Sequence, residues 1–247
     1  MLRLDQALVE RGLCESREKA KRAILAGQVR VNAQLARKSS DPVKPGDELT
    51  LDAGEKYVSR GGHKLEHALT RFELNISDLV ALDVGASTGG FTDCLLQHGV
   101  AKVFAIDVGQ GQLAWKLRRD KRVAVMEKTN ARHLTVEQFP QPFVPADLAV
   151  IDCSFISLRK ILPAVVPLLK SDGKIIALIK PQFEAGKIEA DKGRGVIRDT
   201  SIHERVLEEL CEFVLAQAGL CWRDVVESPL LGPAGNKEFL ALIEKER

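Results

Sequence analysis

The chain has little of what marks secreted, membrane-spanning or metal-scaffold proteins. Its five cysteines (Cys14, Cys94, Cys153, Cys211, Cys221) are scattered and include no Cys-x-x-Cys pair. That argues against a disulfide framework or a zinc site and for a reducing compartment. No run approaches the ~18 to 20 apolar residues of a spanning helix. Ile175 to Ile179 is strand-sized, and the opening Met1-Leu2-Arg3-Leu4-Asp5 has no apolar signal core. Charge of one sign is scarce too: 36 Lys and Arg against 34 Asp and Glu leave a net +2, so whole-chain charge names no partner. Repeats and low-complexity segments are missing. The expectation is a cytoplasmic protein without membrane association.

What is present is unevenly distributed. At 247 residues and 45% hydrophobic, the chain can bury a full core and carry an appendage. From Arg11 to Lys38, eight cations (Arg11, Arg17, Lys19, Lys21, Arg22, Arg30, Arg37, Lys38) face only Glu15 and Glu18, a local +6. Such a patch suggests a docking face for a polyanion, although a solvated surface is the ordinary fate of a charge run. The same segment reads as a small unit. Leu4, Ala7, Leu8 and Leu13 predict a short helix stopped near Gly12. Ser16 is the N-cap candidate of a second helix that turns Ala20, Ala23 and Ile24 inward and ends at Gly27. Val29-Arg30-Val31 alternates like a strand, Asn32 starts a turn, and Pro45-Gly46-Asp47 makes another before Glu48-Leu49-Thr50-Leu51.

Residues 56–67 form a junction where Gly61 and Gly62 permit a sharp bend, and Leu65, Ala68, Leu69 and Phe72 begin a helix. From Val80 onward, apolar strands at 80–84, 102–106, 123–126, 147–151, 174–179 and 238–243 alternate with helical stretches. That order predicts an α/β fold with a doubly wound, largely parallel sheet. The first of these strands delivers the loop Gly85-Ala86-Ser87-Thr88-Gly89-Gly90-Phe91. Its spacing is not the Gly-x-Gly-x-x-Gly of dinucleotide sites, and no Gly-Lys-Ser/Thr closes it as a P-loop. The next strand ends in Asp107, 22 residues beyond Gly85, near the ~20-residue offset at which an acid meets ribose hydroxyls. Loop and acid together predict a nucleoside-type ligand without a phosphate clamp; a structural turn in a metabolic enzyme is the plainer alternative.

Charged groups also stand at the ends of buried strands: Asp152 and Lys180 where two of them stop, and Glu238 at the head of the last. Parallel strands bring Asp152 and Lys180 to the glycine-loop edge, whereas Glu238 reaches it only if the last strand runs antiparallel. A strand-terminal salt bridge is the alternative for each. Tyr57, the only tyrosine, and Phe155 can stack on a flipped base or pack internally, and the core is the better reading for Phe155. His63 and His67 lie one helical turn apart but lack a third ligand, so they are read as surface or junction residues and no metal is predicted.

Two resemblances sharpen this picture. Arg3-Leu4-Asp5, Ser16-Arg17-Glu18-Lys19-Ala20, Gly27-Gln28-Val29-Arg30-Val31-Asn32 and Val43-Lys44-Pro45-Gly46-Asp47 resemble the S4 RNA-binding fold. That resemblance implies that Arg17, Lys19, Lys21, Arg22 and Arg30 contact phosphates, which position a protein on RNA without reading sequence. Across essentially the whole chain, six motifs resemble the TlyA family of ribosomal RNA 2′-O-methyltransferases. They are Ser59-Arg60-Gly61-Gly62-His63-Lys64-Leu65, Asp83 to Thr92, Asp107 to Leu113, Ser154-Phe155-Ile156-Ser157-Leu158, Lys180-Pro181-Gln182-Phe183-Glu184 and Gly235-Asn236-Lys237-Glu238. The family implies an S4-like α+β domain at 1–57, a linker at 58–63 and an FtsJ-like domain at 64–247. The last would be a Rossmann-like S-adenosylmethionine-dependent methyltransferase sheet with helices on both faces.

The resemblance further implies a catalytic tetrad of Lys64, Asp152, Lys180 and Glu238. It implies S-adenosylmethionine held by Asp83, Gly85, Ala86, Ser87, Thr88, Gly89, Gly90 and Phe91, with Asp107 on the ribose, Asn130 near the adenine and Asp152 at the shared edge. Expected partners are ribosomal RNA and ribosomal subunits, with a cytidine ribose as target and the enzyme a monomer. Thr200, where many relatives carry Pro, and the variable Cys153 depart from the pattern without touching the chemistry. A 2′-hydroxyl is a poor nucleophile that must be aligned and must lose its proton. Lys180 is the expected base, Lys64 a second cation that holds phosphate or ribose, and Asp152 and Glu238 orient the two ammonium groups. A cytolytic protein stays open, because family members have carried the name haemolysin, as does an RNA-binding module without catalysis. An NAD-dependent oxidoreductase is disfavoured by the glycine spacing.

Overall fold

The computed structural model describes residues 1–52, 54–186, 189 and 193–246, and the chain divides into two compact units, Met1–Lys56 and Tyr57–Arg247. The smaller unit has five short strands: β1 (Leu2–Arg3), β2 (Val29–Val31), β3 (Gln34–Leu35), β4 (Pro42–Val43) and β5 (Leu49–Leu51). β1 pairs with β4, and the other three form an antiparallel sheet in the order β3-β2-β5. Helices Leu4–Glu10 and Arg17–Leu25 bury Leu4, Ala7 and Leu8 against Ala20, Ala23 and Ile24, closing one apolar cluster over Val29, Val43 and Leu49. Ser16 caps the second helix, its Oγ accepting from the Lys19 amide at 3.3 Å.

The larger unit is built on seven strands: β6 (Val80–Val84), β7 (Lys102–Ile106), β8 (Val123–Met126), β9 (Ala146–Ile151), β10 (Leu169–Ile179), β11 (Leu220–Glu227) and β12 (Phe239–Lys245). Their order across the sheet is β11-β12-β10-β9-β6-β7-β8, and only β12 runs against the rest. Alternate residues serve opposite faces. Leu82, Val84, Ala149 and Ile151 pack with Val206, Leu210 and Val214 of the Thr200–Leu215 helix. Ala81, Leu148 and Val150 pack with Leu65, Ala68 and Leu69 of helix Gly61–Arg71 and with Cys94 and Leu95 of helix Gly90–Gln97. Burial on both faces is why these strands read as continuous apolar runs. Chain order reverses between β6 and β9, which opens a crevice at the strands' C-terminal ends.

The fold departs from expectation in three places. β11 is an extra edge strand; Trp222-Arg223-Asp224 interrupts its apolar alternation, and its register with β12 shifts there. β10 starts at Leu169 rather than 174, with an irregular register between the two. Residues 58–63 belong to the larger unit instead of linking it, because Gly61, Gly62 and His63 already form the first turn of the Gly61–Arg71 helix and Tyr57 is 1% exposed in that unit's core. Gly62 makes this possible: a Cβ there would lie 2.2 Å from Tyr57 Cγ. Among the described residues, no helix is long and apolar enough to cross a membrane.

Gly62→Ala drives a methyl group into the Tyr57 ring and is expected to destabilise the protein by about 1–3 kcal/mol. Thermal unfolding of the full chain checks this as a fall of several degrees in Tm.

Candidate active site

The crevice is floored by three strand ends. Gly85 follows β6 at φ 89°, and a Cβ on it would fall 2.6 Å from the Asp152 carbonyl oxygen beyond β9. Only glycine lets the two loops run in contact there. Asp107, after β7, accepts from the Ser87 amide through Oδ2 and from the Gly109 amide through Oδ1, both at 2.7 Å. Each carboxylate oxygen keeps a lone pair for a further donor, such as a ribose hydroxyl. After β8, Asn130 Oδ1 accepts from the Arg132 amide at 3.0 Å and fixes that turn. With Ile106, Val108 and Ile156, these groups line a cleft of about 510 Å³, within the usual size range of small-molecule sites. A fixed carboxylate, a polar turn and apolar walls fit the nucleoside end of S-adenosylmethionine.

Asp83 and Gly89, expected to contact the cofactor, line neither this cleft nor its neighbour. Asp83 is fully buried and accepts from Thr92 Oγ1 at 2.5 Å, while its Oδ1 has no partner among the described residues. Burial pushes its carboxyl up to about 7, against the Thr92 bond that lowers it. Gly89 packs beneath the loop, where a Cβ would lie 2.2 Å from Leu117 Cδ1. Both residues support the loop from behind.

Gly85, Ala86, Ser87, Thr88, Gly90 and Phe91 line a second cleft of about 270 Å³ together with Lys64, Asp152, Lys180 and Glu238. The four charged residues form two ion pairs. Lys64 pairs with Glu238, and Lys180 Nζ lies 2.6 Å from Asp152 Oδ1. Lys180 also donates to Ser154 Oγ at 2.9 Å. Glu238 reaches this edge because β12 is antiparallel. The loop before it is anchored by Asn236, whose Oδ1 accepts from the Ile197 amide and whose Nδ2 donates to the Gly195 carbonyl, both at 2.8 Å. The two clefts share Gly85, Ser87, Asp152 and Ser154.

Phe155 is not a core residue. It sits at φ 64° with 89% of its surface exposed, against Phe183 at 5.1 Å between ring centroids. The left-handed turn after β9 swings the ring outward to the rim of the larger cleft. Glu184 holds this arrangement, accepting from Ser157 Oγ at 2.6 Å and from the Leu158 amide at 2.8 Å; burial raises its carboxyl. Neither Ser154 nor Glu184 stood out as a site residue in the sequence. Their one signal was position, two and four residues beyond the strand-end charges Asp152 and Lys180. Cys153 is inert at neutral pH, its thiol pushed up to about 12 by burial and by Asp152. His63 meets Tyr57 edge-on at 5.1 Å between ring centroids.

In the smaller unit, the expected RNA-contacting cations are mostly tied to acids. Asp5, fully buried, binds Arg3 and Arg17 at 3.1 Å each. Burial acts to raise its carboxyl, but the two guanidinium groups outweigh it and hold it below the ordinary range. Lys19 pairs with Glu15, Lys21 with Glu18 at 2.9 Å and Arg30 with Asp52 at 3.2 Å, while Arg22 makes no ion pair among the described residues. Exposed pairs are worth about 0–1 kcal/mol, so phosphate can displace such acids.

Residues 57–245 match the family described as FtsJ-like methyltransferase, and residues 2–49 match the S4 domain. The 16S/23S rRNA (cytidine-2′-O)-methyltransferase TlyA of Mycobacterium tuberculosis H37Rv is 46% identical over 241 residues, 96% of this chain and 87% of that protein. Hemolysin A of Brachyspira hyodysenteriae is 42% identical over 240 residues, 97% and 98% of the two chains. A solved structure from Streptococcus thermophilus, provisionally named a hemolysin, superimposes with a TM-score of 0.74 at 46% identity, covering 99% of this chain and 88% of that one.

Asp83 gives the fold a pH signature. Its carboxyl is raised on folding, so the stability that its proton supplies is complete below the unfolded value of about 4. That stability is lost as pH rises to about 7. Wild-type stability relative to Asp83→Asn is expected to fall across this window and level off above it, measured by urea unfolding at a series of pH values. A difference that stays flat across the window would sink the assignment.

Proposed function

The chain belongs to the FtsJ-like methyltransferase family, in the branch that carries an N-terminal S4 domain and the TlyA name, and we propose that it methylates a ribose 2′-hydroxyl of ribosomal RNA in the cytoplasm. The observation that carries this reading is the wall common to the two clefts, Gly85, Ser87, Asp152 and Ser154. A nucleoside donor on one side of that wall and a hydroxyl beside Lys180 on the other meet at one boundary. The donor supported by the cleft is S-adenosylmethionine, which when bound supplies an electrophilic methyl group whose bond to the sulfonium breaks on transfer, the neutral thioether S-adenosylhomocysteine being the leaving group.

In this reading, the Asp107 carboxylate holds ribose hydroxyls, the Gly85–Phe91 loop backs the donor, and the turn at Asn130 borders its base. Lys180 Nζ aligns the substrate 2′-hydroxyl and, in its neutral form, takes the proton as the oxygen attacks. The ammonium so formed is received by Asp152 Oδ1 and Ser154 Oγ, which already bond Lys180. Lys64, fixed by Glu238, is the cation for the substrate's phosphate or ribose. Phe155 and Phe183 offer an exposed aromatic platform for the flipped base; stacking of this kind is worth about 1–3 kcal/mol per base. The target base is read as cytidine by likeness to the Mycobacterium tuberculosis relative.

Methyl transfer from labelled S-adenosylmethionine to isolated ribosomal subunits tests the proposal. Wild type should leave an alkali-resistant 2′-O-methyl nucleotide, and Lys180→Ala should lower kcat by about 10²–10⁴-fold. Lys180→Arg keeps the charge but cannot accept the proton, so it should fall with the alanine variant; near-wild-type turnover there removes the base role. Separately, Arg17→Ala, Lys21→Ala and Arg22→Ala combined should weaken binding to subunits in a filter assay while cofactor affinity stays unchanged. Unaltered binding reassigns that surface to solvent.

A further inference from the structure

We propose that the surface around Trp115 is a second contact for ribosomal RNA, carried by the methyltransferase unit itself; the proposal rests on the RNA reading above. Residues 115–122, Trp-Lys-Leu-Arg-Arg-Asp-Lys-Arg, hold five cations and one acid. This segment is fastened to the glycine loop. The Ala114 amide donates to the Thr88 carbonyl at 3.1 Å, and Leu113 and Leu117 pack over Gly89. Thr88 lines the charged cleft, so the segment that carries Trp115 is bonded directly to that cleft's wall.

The cations divide into two groups. Lys116, Arg118 and Arg122 are engaged with Asp93, Glu127 and Asp120. Arg119 and Lys121 have no acidic partner among the described residues and are exposed. Trp115 is 71% exposed, and the Arg119 guanidinium lies over its ring, 6.0 Å from the centroid. An exposed indole with one unpaired guanidinium over its ring, and a second unpaired cation in the same segment, suits a stacked base with flanking phosphates. The chemistry also calls for such a platform. Drawing one nucleotide out of a stack into the charged cleft leaves its neighbours unstacked, and an aromatic face on a segment bonded to the cleft's wall replaces the lost stacking for one of them.

The test is steady-state methyl transfer to isolated ribosomal subunits. Trp115→Ala should raise KM for subunits about tenfold, with kcat and S-adenosylmethionine affinity unchanged, and Trp115→Phe should restore most of the loss. Arg119→Ala with Lys121→Ala should lower the slope of log affinity against log salt by about one to two. If wild type methylates subunits and Trp115→Ala keeps its KM, the surface assignment alone is overturned. A fall in cofactor affinity instead of subunit affinity also overturns it, by making Trp115 a wall of the cofactor site. If wild type leaves ribosomal RNA unmethylated, the proposed function falls and this surface falls with it.

Discussion

Lys64 and Glu238 come from the first helix and the head of the last strand of the larger unit, 174 residues apart, and they meet almost out of water at 7% and 1% exposure. Removing a charge from water costs several kcal/mol, so each is tolerable only while the other is in place. Much of the architecture serves that meeting. A parallel last strand would carry Glu238 to the opposite edge of the sheet. The backbone at Gly232 lies so close that a Cβ would sit 2.4 Å from Glu238 Oε1, and Asn236 fixes the approach to the strand. The Lys180–Asp152 pair is different in kind: Asp152 remains about a quarter exposed, and the two residues leave neighbouring strands. One pair is enclosed, and the other keeps an edge in solvent.

Where burial is two-sided, the sequence announces its strands. β6 and β7 lie where the apolar runs predict them, because both of their faces are covered; Asp83, the one acid inside β6, is itself fully buried. β11 was hidden because an edge strand with Arg223 and Asp224 in its middle resembles a charged loop. The site was legible to the extent that charge stands at strand ends: Asp152 and Lys180 each follow a buried run, Glu238 heads one, and topology alone gathers them. Phe155 misled for a physical reason. An aromatic beside a buried strand is ordinarily core, and nothing in the residue type reveals a left-handed backbone that turns it outward. Asp83 misled in the opposite sense, since an acid before a glycine loop looks like a ligand until its burial behind Thr92 is seen.

The smaller unit shows why net charge is a poor guide to its surface. The local excess of cations is partly answered by Glu15, Glu18 and Asp52, and from beneath by Asp5. Asp5 does more than neutralise. A buried carboxylate that grips Arg3 and Arg17 spares both long side chains part of the conformational entropy they would lose on meeting a phosphate. Arg3 joins this surface through geometry alone, since it stands outside the basic run in sequence.

Glu184 joins the loop after β9 to the loop after β10 through Ser157 and the Leu158 amide. The aromatic rim of Phe155 and Phe183 and the Lys180–Asp152 pair therefore ride on one bracket, and neither drifts without carrying the other along. For the history of such a site, this is a constraint on the kind of change that survives. Lengthening either loop breaks the bracket, whereas exchanging one rim side chain leaves it intact. In this architecture, the rim tolerates substitution where the loops beneath it do not tolerate insertion.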